Sequence, residues 1–516
     1  MRTLRYKTCT NYIGMGCGIL VTYPQVAAYV GLQGLLTYCA CGAVPLFLFA
    51  YLGPKIRKHC PKGFVLTEWV RHRYGVTAGL VLSACTILTL YLFAVSELAS
   101  LNAAIVSLTG LDGLSALIVE ALFVALYTSL GGFYTAFFTD NIQSTVFMVL
   151  LIIAMSAIGA KVDYDSALVG PSGLLKSSRL GWKLLYILFV AIFTNDCFMA
   201  GFWMRTFAAR SSKDLWIGCS IAAFVLFAVC AAVGITGLFA VWAGLLDPTS
   251  DTFYADSQNA FYLIILLLPK WVQGFVLLFI VSLSCCTFDT LVSAMGSTIS
   301  NDIFRNRLRL IYMQMITFGL MAPVIVVAIK ATNVLNIYLI VDLLSAAVVP
   351  VLFAGLSSRL YFIGGFEIIS GLIGGILTTF VFGVIYYGKV QGGGTILLLQ
   401  NGLYVDDWAA FGAFVAAPVG SVIGFLVGLA LRALFLACIK KRWNAILDRD
   451  LEHWDAWFYR LITPQSDPWY EGKPDFFRKL DWIFIAPVHE AEKNLPGGEE
   501  SQEDIESEDC TKKIDS

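Results

Sequence analysis

The chain has 516 residues, of which 58% are hydrophobic and 14% are charged, and its formal net charge is −1. Soluble domains are about 45–50% apolar and about 25% charged, so this composition excludes an ordinary soluble enzyme and indicates a polytopic membrane protein. The nearly balanced charge implies no nucleic-acid partner.

The residues that usually build metal and catalytic centres are placed unfavourably for such roles. All 4 histidines lie outside the apolar runs, which argues against an intramembrane metalloenzyme and against a histidine proton relay. The 13 cysteines have no zinc-like spacing, so we interpret those in the apolar runs as packing residues. We therefore expect a protein that is not an enzyme and that has no cofactor.

Twelve apolar runs follow one another along the chain, and each is long enough to cross a bilayer as a helix. They predict an all-α polytopic membrane protein with about twelve transmembrane helices. The eighth run is long and is expected to include an extracellular helix before Pro269. The runs are residues 10–31, 34–53, 76–107, 114–133, 140–160, 181–202, 214–244, 259–299, 309–330, 334–355, 361–387 and 408–438.

Lys and Arg concentrate in alternate loops, including the stretches before the first run and after the last run. Since cytoplasmic loops are enriched in these residues, we predict that both termini are cytoplasmic, and we expect the protein in the plasma membrane. The predicted organisation is a cytoplasmic N-terminus (1–9), a ten-helix core (10–355), two additional transmembrane helices (356–442), a cytoplasmic amphipathic segment (443–489) and a disordered acidic tail (490–516).

The eighth run contains a polar stripe. On a helix, Ser282, Cys286, Asp289, Ser293 and Ser297 share one face. Small residues for close helix packing would explain the serines, but they would not explain an aspartate inside a membrane. The stripe therefore favours a cation site or cation pathway that faces a broken partner helix.

The first and sixth runs are interrupted at equivalent places. The first carries Gly14, Gly16 and Gly18, which weaken a helix and are typical of backbone unwound around a ligand, whose freed carbonyls then bind it. The sixth carries the polar sequence Thr194-Asn195-Asp196. Because the two interruptions are five runs apart, they predict an inverted five-plus-five repeat with discontinuous helices. Close helix contact and an interfacial location remain the respective alternatives.

Other polar residues are less decisive. Gly131 and Gly132 are predicted to form the turn between the fourth and fifth runs, with Asp140 in the first turn of the fifth. Four further acids lie within runs, and one sequence does not rank them: they are Glu97, Glu120, Asp342 and Glu367.

Three long motifs, in this order along the chain, resemble those of the sodium:solute symporter family. YTSLGGFYTAFFTDNIQ (127–143) resembles the family signature, FWMRTFAARSSKDLW (202–216) resembles its aromatic-arginine loop, and SCCTFDTLVSAMGSTISNDIF (284–304) resembles its serine-threonine-x-aspartate-serine helix. VAAYVGLQG (26–34) and GFVLTEWVRHRYG (63–75) are most similar to the fungal urea active transporter branch.

This resemblance implies the LeuT-like inverted-repeat fold. Family members carry an extra N-terminal helix before the ten-helix core, whereas the first run here begins near Met1, so runs one to ten are expected to correspond to that core. The substrate would lie near mid-membrane. The cation-binding residues that the resemblance implies are Ile13, Gly16, Leu283, Cys286, Thr287, Asp140 and Asp289, and the candidate substrate-binding residues are Gly16, Cys17, Gly18, Ser96, Glu97, Asn195 and Asp342.

One residue departs from the family pattern: Cys286 stands where the family usually has serine. Because a thiol is a poor ligand for sodium, either Na⁺ coupling is weakened or the coupling ion is H⁺, carried by Asp140 or Asp289. The expected function is secondary active import of a small polar solute, such as urea or a polyamine, by a monomer in the lipid bilayer. An uncoupled facilitator and a non-transporting nutrient receptor remain alternatives.

Overall fold

The structure is a computed structural model. It describes residues 16–59, 66–209, 211–250, 252–304, 308–331, 333–357, 360, 362–400, 402–403 and 408–440. Nearly all of them are helical, and no extended β-strand occurs within these ranges.

The helices are numbered in chain order. The first nine are α1 (Ile19–Val30), α2 (Leu32–His59), α3 (Leu66–Tyr74), α4 (Val76–Thr109), α5 (Leu114–Lys161), α6 (Ser166–Ser172), α7 (Arg179–Phe198), α8 (Ala200–Ala208) and α9 (Ser212–Trp242). The others are α10 (Phe253–Asp256), α11 (Ala260–Leu266), α12 (Lys270–Thr298), α13 (Leu310–Lys330), α14 (Val334–Leu352), α15 (Gly365–Tyr387), α16 (Val390–Leu397) and α17 (Ala409–Lys440).

The long apolar helices match the predicted runs closely. Among the described residues, 9 helices are long and apolar enough to cross a membrane: α2, α4, α7, α9, α12, α13, α14, α15 and α17. Shorter apolar helical stretches, Ile19–Val30, Leu114–Thr128 and Met148–Lys161, lie at the first, fourth and fifth runs. The helix expected before Pro269 is present as α10 and α11, which are separate from α12.

The turn predicted at Gly131 and Gly132 is wrong. The helical backbone of α5 runs from Leu114 to Lys161 without interruption. A glycine costs a helix only about 1 kcal/mol relative to alanine, and a membrane penalises unpaired backbone groups more heavily. The glycine pair therefore does not end the helix.

The sixth run is broken, as the sequence predicted, but four residues further on than Asn195. The helix α7 ends at Phe198, Met199 has extended backbone (ψ 108°), and α8 begins at Ala200. The Met199 N–H still bonds the carbonyls of Asn195 and Asp196. Polar side chains marked the region, but the backbone turns beyond them.

The core surrounds α12, which packs against α4 and α5, while α9 packs against α1 and α2. Two later helices, α15 and α17, contact each other through small residues: a Cβ at Gly374 would lie 2.6 Å from Gly424 Cα. This close backbone approach is the usual way in which membrane helices associate. The polar residues considered next lie where α1, α4, α5, α7, α12 and α14 meet.

Candidate functional site

The non-helical residues at the start of the first run donate hydrogen bonds to an acid from α4. Residues 16–18 are not helical, and α1 begins at Ile19. The Cys17 N–H donates to Glu97 Oε1 at 2.5 Å, and the Gly18 N–H also faces this carboxylate. Glu97 is 1% exposed, so it acts as a buried cap on the positive end of α1.

The carbonyls of residues 16–18 each accept a hydrogen bond from the first turn of α1, so their role as cation ligands stays a prediction. The Gly16 carbonyl accepts from Ile19 N at 3.2 Å, and the Gly18 carbonyl accepts from Thr22 N at 2.9 Å. The groups that the break makes available are the amide N–H groups, since the first turn of any helix leaves its donors without helical partners. Ile13 lies outside the described residues.

Two glycines allow the helices to approach at this point. A Cβ on Gly16 would overlap the Glu97 carboxylate and lie 3.1 Å from Thr287 Cγ2. A Cβ on Gly18 would overlap the hydroxyl group of Tyr338 on α14. The non-helical segment 16–18 therefore contacts α4, α12 and α14.

The predicted cation ligands of α12 are partly brought together with α1. The Thr287 side chain lies against Gly16, whereas Leu283 lies within an unbroken helix. The Cys286 carbonyl accepts from Thr290 Oγ1 at 3.1 Å. Asp140 lies in α5, with its side chain outside the described set. Cation binding by these residues stays a prediction.

Asp289 contacts α5 in this structure, and whether its stripe serves a cation pathway stays a prediction. Its carboxylate is fully buried and accepts from Tyr127 Oη of α5 at 2.6 Å and from Thr290 Oγ1 at 3.3 Å. Thr287, two residues earlier, points to α1, and successive helix positions rotate by about 100°. The stripe was read correctly as one face, but the sequence does not tell which neighbour that face meets.

On the opposite side of the break, α7 and α14 bring two more acids together. Asp342 is 6% exposed and lies close enough to Asp196 for the two charges to repel each other. Neither carboxylate has a hydrogen-bond partner among the described residues. Thr194 Oγ1 lies 3.1 Å from Ser345 Oγ, which ties the two helices together beside them.

Two of the predicted substrate residues, Asn195 and Ser96, differ in whether their polar side-chain groups have hydrogen-bond partners. The Asn195 side chain is buried, and its Oδ1 has no hydrogen-bond donor within the described ranges. Ser96 Oγ donates to its own helix at Phe93 O at 2.9 Å and lies beside the Tyr338 hydroxyl. Tyr338, which the sequence did not single out, therefore links Ser96 to Gly18.

Glu120 is the residue that sequence reasoning left unassigned. It is 5% exposed, and both carboxylate oxygens are buried without a hydrogen-bond partner in the described part of the chain. It lies beside Ser284 and Cys285 of α12 and within electrostatic reach of Glu97 and Cys17. Its only sequence signal is an acid in an apolar run.

The acidic side chains of this region lack a neighbouring positive charge within the described residues. Within the described ranges, Glu97, Glu120, Asp196 and Asp342 form no ion pair with a basic side chain. Lys183, the buried lysine at the start of α7, lies instead over the Trp408 ring, 4.6 Å from its centroid. Buried carboxylates without a counter-charge favour a cation as the missing partner.

Comparison with known proteins identifies relatives over most of the chain. The family model "Sodium:solute symporter family" matches residues 9–373. A spermidine transporter of Candida albicans, DUR31, is 51% identical over 83% of this chain and 82% of its own length. A urea-proton symporter of Oryza sativa, DUR3, is 24% identical over 71% of this chain and 57% of its own length.

Two solved structures share the fold at low sequence identity. A Na⁺-coupled sialic acid symporter superposes with a TM-score of 0.61 at 15% identity, covering 83% of this chain and 89% of its own. The nucleobase-cation-symport transporter MHP1 gives a TM-score of 0.51 at 11% identity, covering 83% and 93%. The LeuT-like fold predicted from the sequence is thereby confirmed.

Proposed function

The chain belongs to the sodium:solute symporter family, and on this premise we propose that it imports a polyamine together with a monovalent cation. Secondary active transport of a small polar solute follows from the family; the choice of a polyamine is our proposal. We further propose that it works as a monomer in the plasma membrane, with both termini in the cytoplasm.

The observation that carries the proposal is a set of four acids without basic partners among the described residues, of which Glu97, Glu120 and Asp342 are buried and Asp196 is half-buried. An unpaired buried charge costs several kcal/mol. At an effective dielectric constant of 20, an opposite charge 4 Å away contributes about 4 kcal/mol of attraction. A polyamine carries several ammonium groups on one flexible chain, so a single substrate molecule can offset more than one of these charges.

The spermidine transporter at 51% identity supports this choice. Urea is the second candidate, and one contact favours it: the buried Asn195 Oδ1 lacks a donor, which an amide N–H of urea would supply. A neutral solute would nevertheless leave the neighbouring carboxylates uncompensated, whereas an ammonium group also donates to Asn195. The charge of the region therefore supports the polyamine over urea.

The coupling cation is proposed to bind where Gly16 meets Thr287, between α1 and α12. The family favours sodium, and Thr287 has a hydroxyl oxygen that sodium accepts as a ligand. Cys286 lowers the expected sodium affinity, because its sulfur replaces an oxygen. Proton coupling is the alternative that the uptake experiment separates.

The proposal is tested by uptake into a yeast strain that lacks its own polyamine and urea transport. Cells expressing the chain are given radiolabelled spermidine or urea, at two pH values and two sodium concentrations. We expect saturable, concentrative spermidine uptake that unlabelled putrescine inhibits and urea does not. Urea uptake with no spermidine uptake would replace the polyamine with urea.

Ion dependence is read from the same cells. Loss of concentrative uptake on sodium removal at fixed pH identifies sodium as the coupling ion, and unchanged uptake that falls when the pH gradient is abolished identifies the proton. Spermidine uptake that is insensitive to both gradients and is lost only when the membrane potential is collapsed would show a facilitator. Binding without flux would show a receptor.

A further inference from the structure

The buried carboxylate of Glu120 lies beside a second unpartnered group, the hydroxyl of Ser284. Ser284 is fully buried on α12, and its Oγ has no hydrogen-bond partner among the described residues. It lies next to the Glu120 carboxyl and next to Cys17, which precedes α1. The Ser284 hydroxyl and the Cys285 thiol therefore lie beside the Glu120 carboxylate as donors within reach, but neither forms a hydrogen bond of normal geometry with it.

The two carboxylate oxygens of Glu120 and the hydroxyl oxygen beside them define the chemistry of the missing ligand. Each buried polar atom without a partner costs about 1–3 kcal/mol, and more when it is charged. A primary ammonium group brings three N–H donors and one positive charge, which is the complement of this set. We propose that Glu120 and Ser284 form a subsite for one terminal ammonium group of the transported polyamine.

The neighbouring groups argue against a metal cation here. The residues beside the acid include Cys17 and Cys285, and thiols are poor ligands for a hard cation such as sodium. The Cys17 Sγ is also engaged, since it donates to Ile280 O at 3.3 Å. A proton on Glu120 would let the carboxyl group and the Ser284 hydroxyl satisfy each other, so the uptake pattern among acetylated substrates is what separates a proton from an ammonium group.

Glu97 provides an internal contrast to Glu120. Its carboxylate faces two backbone N–H groups at the start of α1, which stabilise its charge without a ligand. Glu120 is nearly as buried, but the donors beside it are the side chains of Ser284 and Cys285 rather than backbone N–H groups. The subsite therefore belongs to Glu120, and Glu97 acts mainly as the cap of α1.

This subsite rests on the proposed polyamine transport, and its test uses substrates that differ at one end. Uptake of spermidine, N1-acetylspermidine and N8-acetylspermidine is measured for the wild type and for Glu120→Gln. Acetylation converts one terminal ammonium group into a neutral amide. We expect Glu120→Gln to raise KM about tenfold for spermidine and for one monoacetylated form, and to leave uptake of the other form unchanged.

A matched serine pair separates the subsite from general effects on α12. Ser284→Ala should give the same substrate pattern with a smaller, several-fold change. Ser293→Ala is the control, because Ser293 is also a buried, unpartnered serine of α12 but lies about half a turn away around the helix. Ser293→Ala should leave the ratio among the three substrates unchanged.

Each other outcome overturns the subsite. An equal loss for all three substrates in Glu120→Gln, especially with a shifted pH profile, would assign Glu120 to the coupling ion instead. No change for any substrate would remove it from transport. A wild type that transports no polyamine would overturn the proposed function itself, whereas wild-type uptake with a uniform loss in the variant overturns the subsite alone.

Discussion

Buried acids in two regions of this molecule differ in whether they have a basic partner. At the α15–α17 contact, fully buried Glu367 accepts from Arg432 at 2.6 Å and from the Gly364 N–H at 2.8 Å. Around the break of the first run, Glu120 has no such partner among the described residues. The protein pairs its acid with a basic side chain in the peripheral helices, whereas the core acid has no basic partner among the described residues.

The largest expected effect breaks the peripheral pair. Arg432→Met leaves Glu367 buried without its counter-charge, which should destabilise the protein by about 3–5 kcal/mol. The double variant Arg432→Met/Glu367→Leu should recover most of this loss, because an apolar pair replaces both charges. Thermal unfolding of the purified protein in detergent measures both. A single variant as stable as the wild type would show that Glu367 needs no partner.

The next effect concerns transport through the core acids. Asp342→Asn and Asp196→Asn each remove a charge-assisted contact to the substrate worth about 1.5–3 kcal/mol, so spermidine kcat/KM should fall about 10- to 100-fold. Their unfolding temperature should equal or exceed that of the wild type, since these acids have no basic partner to lose. Uptake that persists while stability falls would place them with Glu367, as structural acids.

The sequence predicts the helices of this molecule better than it predicts the partners of its buried acids. The apolar runs were enough to predict most of the long helices, and the glycines of the first run marked the non-helical residues 16–18 that precede α1. Local patterns do not report contacts between distant segments, so the capping of α1 by Glu97, eighty residues away, was missed. Glu120 and Glu367 look alike in the sequence, and only the presence of Arg432 distinguishes their roles.

The smaller errors have local physical causes. Polar residues indicated the region of the second break, but Met199 rather than Asn195 adopts the extended backbone. Asp289 was assigned to the right helix face, yet that face meets Tyr127 of α5. The sites of cation and substrate binding therefore stay predictions, which the substitutions of Asp342, Gly16 and Cys286 test.

A steric variant sharpens the account of the core without changing any charge. Gly16→Ala would push a methyl group into Glu97 and Thr287, and such overpacking costs about 1–3 kcal/mol. We expect several-fold to tenfold lower uptake at similar expression. Gly274→Ala is the matched control on α12, because no atom lies within 4 Å of its added Cβ. Equal effects of the two substitutions would contradict the close contact at Gly16.

The smallest expected effect concerns the coupling ion. Cys286→Ser replaces a sulfur atom by an oxygen at the proposed cation site, which sodium prefers. The sodium concentration for half-maximal spermidine uptake should fall a few-fold, with no change in thermal stability. Sodium dependence that is identical in Cys286→Ser and the wild type would remove Cys286 from the cation site.

The most direct test of the central claim is equilibrium binding of radiolabelled spermidine to the purified protein, with unlabelled competitors. The account predicts saturable binding that putrescine and spermine displace, that urea does not displace, and that Asp342→Asn weakens at least tenfold while Glu367→Gln retains it in the folded fraction. Displacement by urea, or equal binding by Asp342→Asn and the wild type, would contradict the claim that the unpaired core acids bind a cationic substrate.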